Sequence, residues 1–297
     1  MTPQNLSRRQ FGTLASVSAI AAMLQTQLSA AEKAAGGKVR HSVCKWCYKD
    51  IPLEDMCLAA KEIGLESIEL LNPPDFATMK KHGLHCAMVS FPTIEGPGGV
   101  KIGPIPKGWN RIEHHDLLVQ AYEPLLKESA EAGFKQVICF SGNREGMSDE
   151  QGLENCAKGL QRLLPLCEKL GVTLVMELLN SKVNHRDYMC DHTAWGVELC
   201  KRVGSEHFKL LYDIYHMQIM EGDVIATIRK SHPYIAHYHT GGVPGRNEID
   251  DSQELFYPAI MKAIIETGFK GHVAQEFIPK RPDVIASLKQ GVNICDV

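Results

Sequence analysis

From about residue 40 onward, short apolar runs alternate with longer stretches in which apolar positions recur at helical spacing. Eight runs read as strands: His41–Lys45, Ser67–Leu71, His85–Phe91, Gln136–Phe140, Val172–Leu178, Phe208–Asp213, Tyr234–His239 and His272–Phe277. Helices are predicted between and after them at Leu53–Ile63, His115–Ala132, Ser148–Leu170, Thr193–Val203, Val224–Lys230, Ser252–Thr267 and Pro282–Gln290. Gly64, Gly133, Gly171, Gly204 and Gly268 stand just past helix ends, where glycine adopts the left-handed cap conformation without steric cost. Strands alternating with helices, and no shift in composition, predict an α/β fold: a single (β/α)8 TIM barrel over residues 40–297. An open doubly wound sheet is the competing architecture. It expects a glycine fingerprint after the first strand, and none is there.

The first residues follow a different pattern. Ser7-Arg8-Arg9-Gln10-Phe11 precedes a mildly apolar run from Gly12 to Leu24, and Leu28-Ser29-Ala30-Ala31 follows. A charged start, a short apolar centre and a small-residue end predict a signal peptide over residues 1–31, of the twin-arginine type, with a linker at 32–39. The run is too short and too rich in Ala, Ser and Thr for a span of ~20 apolar residues. The expectation is therefore an exported, periplasmic or extracytoplasmic protein with no stable membrane insertion after cleavage. Without a working signal it would stay in the cytoplasm.

Composition narrows the function. A chain of 297 residues with 44% hydrophobic content can bury a large core, and a net charge of −3 without a basic block gives no support for nucleic-acid binding. The ten cysteines lie mostly singly inside apolar runs, for example Cys86, Cys139, Cys167 and Cys200, as small core residues do. Cys44-Lys45-Trp46-Cys47 is the exception. Packing is the leading reading for this pair; a disulfide or redox pair is the second. Zinc would require another ligand pair at suitable spacing, and none is evident.

Two connections exceed the usual few residues, 92–113 and 180–191. Both follow strands, so in a barrel both lie on the C-terminal face, where active sites are built. Trp109 predicts that the first packs down as a lid rather than straying into solvent.

The candidate chemistry sits at the ends of the last four strands, which close on Glu177, Asp213, His239 and Glu276. In a closed barrel those ends are neighbours. Any one of them alone is as readily a salt-bridged or solvated residue, but three carboxylates buried together are costly without a cation. Oxygen-rich donors suit one divalent ion, Mg²⁺ or Mn²⁺, although Zn²⁺ or Co²⁺ could also bind. His216, three residues after Asp213, is placed to meet a substrate hydroxyl.

Four motifs carry a resemblance: Glu177-Leu-Leu-Asn180; Tyr212-Asp213-Ile-Tyr215-His216-Met-Gln218; His237-Tyr-His239 followed by Pro244-Gly245-Arg246-Asn247-Glu248; and Gln275-Glu276-Phe277. Together they resemble the hydroxypyruvate isomerase branch of the xylose isomerase-like barrels, over most of the chain from about residue 40 and most densely over 172–278. The D-tagatose 3-epimerase branch is similar at the same places. The resemblance implies a metal held by Glu177, Asp213, His239 and Glu276, with the two glutamates working as an acid/base pair. It also implies substrate oxygens bound by His216 and Arg246, and a small keto acid or sugar as substrate. Two features depart from it. Hydroxypyruvate isomerases usually carry Gln at the place of His239, where epimerases carry His; and the further Glu of the epimerases is here Val183. A dehydratase or lyase acting on a keto-sugar derivative, an endonuclease barrel and a non-catalytic exported binding protein are the other readings. Homo-oligomerisation is left open.

Overall fold

The computed structural model describes residues 39–297. The predicted signal peptide at 1–31, and the linker up to residue 38, lie outside the described residues. Among the described residues no helix is long and apolar enough to cross a membrane.

The strands are β1 (Arg40–Cys44), β2 (Ser67–Glu69), β3 (Ile94–Glu95), β4 (Lys101–Ile102), β5 (Gln136–Cys139), β6 (Thr173–Leu178), β7 (Phe208–Asp213), β8 (Ile235–Thr240) and β9 (His272–Gln275). Seven form one parallel sheet in the order β2-β1-β9-β8-β7-β6-β5, so the first strand lies beside the last. The ring closes through residues 85–89. Val89 pairs with both Leu71 and Val137, and Ser67 pairs with His85. Backbone bonds from Leu70 N to Met88 O (2.7 Å) and from Val89 N to Gln136 O (2.8 Å) tie this segment to its two neighbours. The expected third strand thus takes its place in the barrel, but as isolated bridges rather than a continuous ladder. The fold is the predicted TIM barrel.

Helices fill the crossovers, and most keep the expected bounds: Leu53–Ile63, His115–Ala132 and Thr193–Val203 each end at a left-handed glycine. The stretch predicted as one helix over 148–170 is two, Asp149–Gln161 and Leu164–Leu170. Pro165 stands at the first turn of the second, where its missing N–H costs nothing, and it cannot continue the first. Phe76–His82 is an additional helix, and the final one runs Val284–Cys295 rather than 282–290. In the latter the Asp283 carboxylate accepts from Ala286 N, so the helix starts after Pro282.

The long 92–113 connection holds the small antiparallel hairpin β3–β4 and ends against the barrel. Trp109 is fully buried, its backbone N–H bonds Phe140 O at 3.1 Å, and its ring lies 5.5 Å from that of Tyr122. Gly159 makes this seat possible: a Cβ there would meet the Trp109 ring at 2.7 Å.

Candidate active site

Parallel register brings the strand ends together. Asp213 on β7 is the direct partner of His239 on β8, Glu177 lies one strand further round on β6, and Glu276 follows β9. Their ligating atoms all lie within 4.8 Å of one another, and all four side chains are buried. The structure therefore assembles all four residues that the strand ends suggested.

His239 is the hub. Its Nδ1 is 2.7 Å from Glu276 Oε2 and 3.5 Å from Glu177 Oε1, while its Nε2 is 2.9 Å from Glu69 Oε1. Glu69, on β2, also accepts from Ser42 Oγ and bonds His237 Nε2 at 2.8 Å. Burial would push this carboxyl up, but His237 and His239 outweigh it and hold it well below the usual range.

β7 turns directly into a short helix, Ile214–Met220, because the Asp213 carboxylate caps it by accepting the His216 N–H at 3.1 Å. That turn packs the His216 ring back over the site, with Nε2 3.6 Å from Asp213 Oδ2. His216 Nδ1 accepts the Asn180 backbone N–H at 3.2 Å, which leaves Nε2–H as a donor with no partner. Burial, then the nearby Arg246 charge, keep this histidine neutral.

Arg246 reaches in from the loop after β8 and pairs with both Glu276 and Asp213, the latter at 3.3 Å. Its guanidinium lies 5.1 Å from the Trp46 ring centre and 5.4 Å from that of Tyr215, a cation–π arrangement on two sides. Trp46 Nε1 in turn donates to Glu276 Oε1 at 2.8 Å.

The carboxylates are not equivalent. Burial pushes Asp213 up to about 8, against Arg246 and with help from the Glu276 charge. Burial likewise raises Glu177, against the nearby His239. Glu276 goes the other way: burial is outweighed by Arg246 and His239, and the group is held well below the usual range. Environments that push two carboxyls apart are how one site acquires both an acid and a base.

The donor set fits a divalent cation. Three carboxylates and one imidazole face a common point, and Glu177 Oε1 is a buried oxygen with no hydrogen-bond partner. An oxygen-rich group of this kind, with one imidazole, matches a hard or borderline metal.

Glu69 and Trp46 are the site residues that sequence reasoning missed. A Glu inside the predicted strand Ser67–Leu71 was the available signal for the first; the CxxC that frames Trp46 drew attention to its cysteines instead. Those cysteines are free thiols. Cys44 Sγ is 3.7 Å from His239 Nε2 under the site, and burial pushes both thiols well up, unlike a reactive pair. Val183 is 67% exposed.

Above the carboxylates a cavity of about 340 Å³ opens to the mouth, lined by Glu177, Arg246, Glu276, Trp46 and His185 and by a group of apolar side chains.

Residues 57–292 match the model of the xylose isomerase-like TIM barrel family. A human protein named putative hydroxypyruvate isomerase is 24% identical over 277 residues, covering 88% of this chain and 87% of its own. A 2-oxo-tetronate isomerase of Haemophilus influenzae is 24% identical over 240 residues, covering 78% of this chain and 90% of its own. Among solved structures, an AP endonuclease, family 2, from Brucella melitensis superposes with a TM-score of 0.74 at 21% identity, covering 87% of this chain and 99% of that one.

Proposed function

The chain belongs to the xylose isomerase-like TIM barrel family, and from that premise we propose that it is a divalent-metal-dependent isomerase. It moves a proton α to the carbonyl of a small keto acid or ketose. The observation that carries this reading is the convergence of Glu177, Asp213, His239 and Glu276 within 4.8 Å of one another, with Glu177 and Glu276 lining a cavity.

Glu177, Asp213, His239 and Glu276 would hold the ion, which when bound would supply Lewis-acid stabilisation of negative charge on substrate oxygens. Glu177, with an unpartnered oxygen and a raised proton affinity, is suited to take the proton from carbon. Glu276, held ionised by Arg246 and His239, is suited to the opposite side of the substrate. Arg246, braced between Trp46 and Tyr215, would bind a substrate carboxylate or paired hydroxyls. His216 Nε2–H would donate to a substrate oxygen, and the neutral ring means that it brings no charge of its own.

The test is carbon-bound proton exchange in D₂O over a panel of keto acids and ketoses with added Mn²⁺ or Mg²⁺. Glu177→Gln and Glu276→Gln should each slow exchange by ~10²–10⁴-fold. The reading fails if native protein carries no stoichiometric divalent metal and Asp213→Ala alters neither metal content nor exchange. Product analysis in the same panel separates a change of position from inversion at one carbon, the 3-epimerase reading that His239 favours, and from loss of water by a lyase. Val183, turned to solvent where the epimerases carry a glutamate, weighs against the epimerase.

A further inference from the structure

The cavity is more apolar than a small keto acid requires. Besides its charged and polar groups it is lined by Leu70, Phe91, Ile105, Ile138, Phe140 and Leu179, an apolar wall. Phe91 and Phe140 meet edge to face at 5.0 Å, which fixes both rings. Ile105 comes from the 92–113 loop, whose seat is secured by the buried Trp109.

Leu70 adds an independent observation. Its φ is +58°, in the left-handed region where a leucine is strained and Gly or Asn is at ease. The strain places an apolar side chain at the cavity where a small or polar residue would relax the backbone. Arg246, among the charged lining residues, has a φ of +60°. Strain of this kind collects at ligand sites.

Volume points the same way. A three-carbon keto acid held at Arg246 and the carboxylates would fill a minority of the cavity of about 340 Å³ and leave the apolar wall wet.

We propose that the substrate carries an apolar, ring-sized group, aryl or branched alkyl, that packs on this wall while its carbonyl end meets Glu177, Arg246 and Glu276. The inference rests on the reading of the site as an isomerase-type centre, and names the substrate class for it.

The experiment compares matched pairs by calorimetric binding to the full chain in Mn²⁺. One pair is 3-keto-D-glucose and its phenyl β-glycoside; the other is hydroxypyruvate and 3-hydroxy-2-oxo-4-phenylbutanoate. In at least one pair the phenyl member should bind about tenfold tighter or more, since a single methylene in an apolar pocket is worth ~10–200-fold. Leu70→Asn keeps the side-chain size and suits the left-handed backbone, and it should reduce that advantage to about threefold or less. Ile105→Asn, on the loop, is the second variant and should act in the same direction. The proposal is overturned if no phenyl compound reaches the tenfold advantage, or if the advantage persists in both variants.

Proton exchange on the same compounds reports the chemistry separately. Exchange without an aryl advantage removes this inference and leaves the isomerase reading standing. An aryl advantage without exchange on any compound removes the isomerase reading and leaves the apolar subsite.

Discussion

An imidazole that is to bind a metal needs its second nitrogen held, and on the proposed reading His239 has that support. Glu69, buried and ionised, accepts from His239 Nε2 and so fixes the ring with Nδ1 toward Glu276 and Glu177. Ser42 and His237 occupy the rest of the same carboxylate, which keeps it from turning. Glu69→Gln preserves the shape but offers an amide where an acceptor is needed. On the proposed reading it should weaken Mn²⁺ affinity by ~10–100-fold, measured by chelator competition. Unchanged affinity would mean that Glu69 merely fills the barrel floor.

The 180–191 loop shows how a connection on the mouth is made rigid. Arg144, from the loop after β5, donates to Met189 O at 3.1 Å and to Asp191 Oδ1 at 3.0 Å, and pairs further with Tyr188 O. Burial would raise Asp191, but bonds from Arg144, Ser181 and His192 outweigh it and lower its pKa. The folded value therefore lies below the ~3.9 of an unfolded chain. The sign follows: this stabilisation is full above about pH 4 and is lost as pH falls through the folded value. Asp191→Asn should cost roughly 2 kcal/mol at pH 7. The gap from wild type should narrow in denaturant melts near pH 3; a gap independent of pH would contradict the ion-pair account.

Four successive strands, β6 to β9, each bring one carboxylate or imidazole to the same cluster, so an ion bound there would tie half of the barrel's eight strands to one point. Ligand that binds only the folded state stabilises it by mass action, by about 2.7 kcal/mol at a concentration a hundredfold above its dissociation constant. For a barrel of this size that is a rise in Tm of roughly 5–10 °C. Calorimetric scans with Mn²⁺ and with excess chelator should differ by that amount, and the difference should vanish in Asp213→Ala. Equal melting in both conditions for the unaltered chain would count against the metal.

Local signals carried much of this. The βα alternation, the glycines at helix ends and the polar residue closing each of four apolar runs depend only on backbone preferences and burial period, so they are legible position by position. That is why the barrel and the quartet Glu177, Asp213, His239 and Glu276 could be read before any coordinates. Other features could not. Glu69 lies 168 and 170 positions from the two histidines it bonds, and nothing near Ser67 distinguishes it from any strand glutamate. The 85–89 segment enters the ring only through isolated bridges to Ser67, Leu71 and Val137, which exist once the barrel has closed. Leu70, Phe91, Ile138 and Phe140 are ordinary core residues by pattern; the curvature of the closed sheet leaves them facing a cavity instead of a neighbour. A chain encodes which residues want burial, whereas which of them meet, and around what empty space, depends on contacts between segments far apart in it.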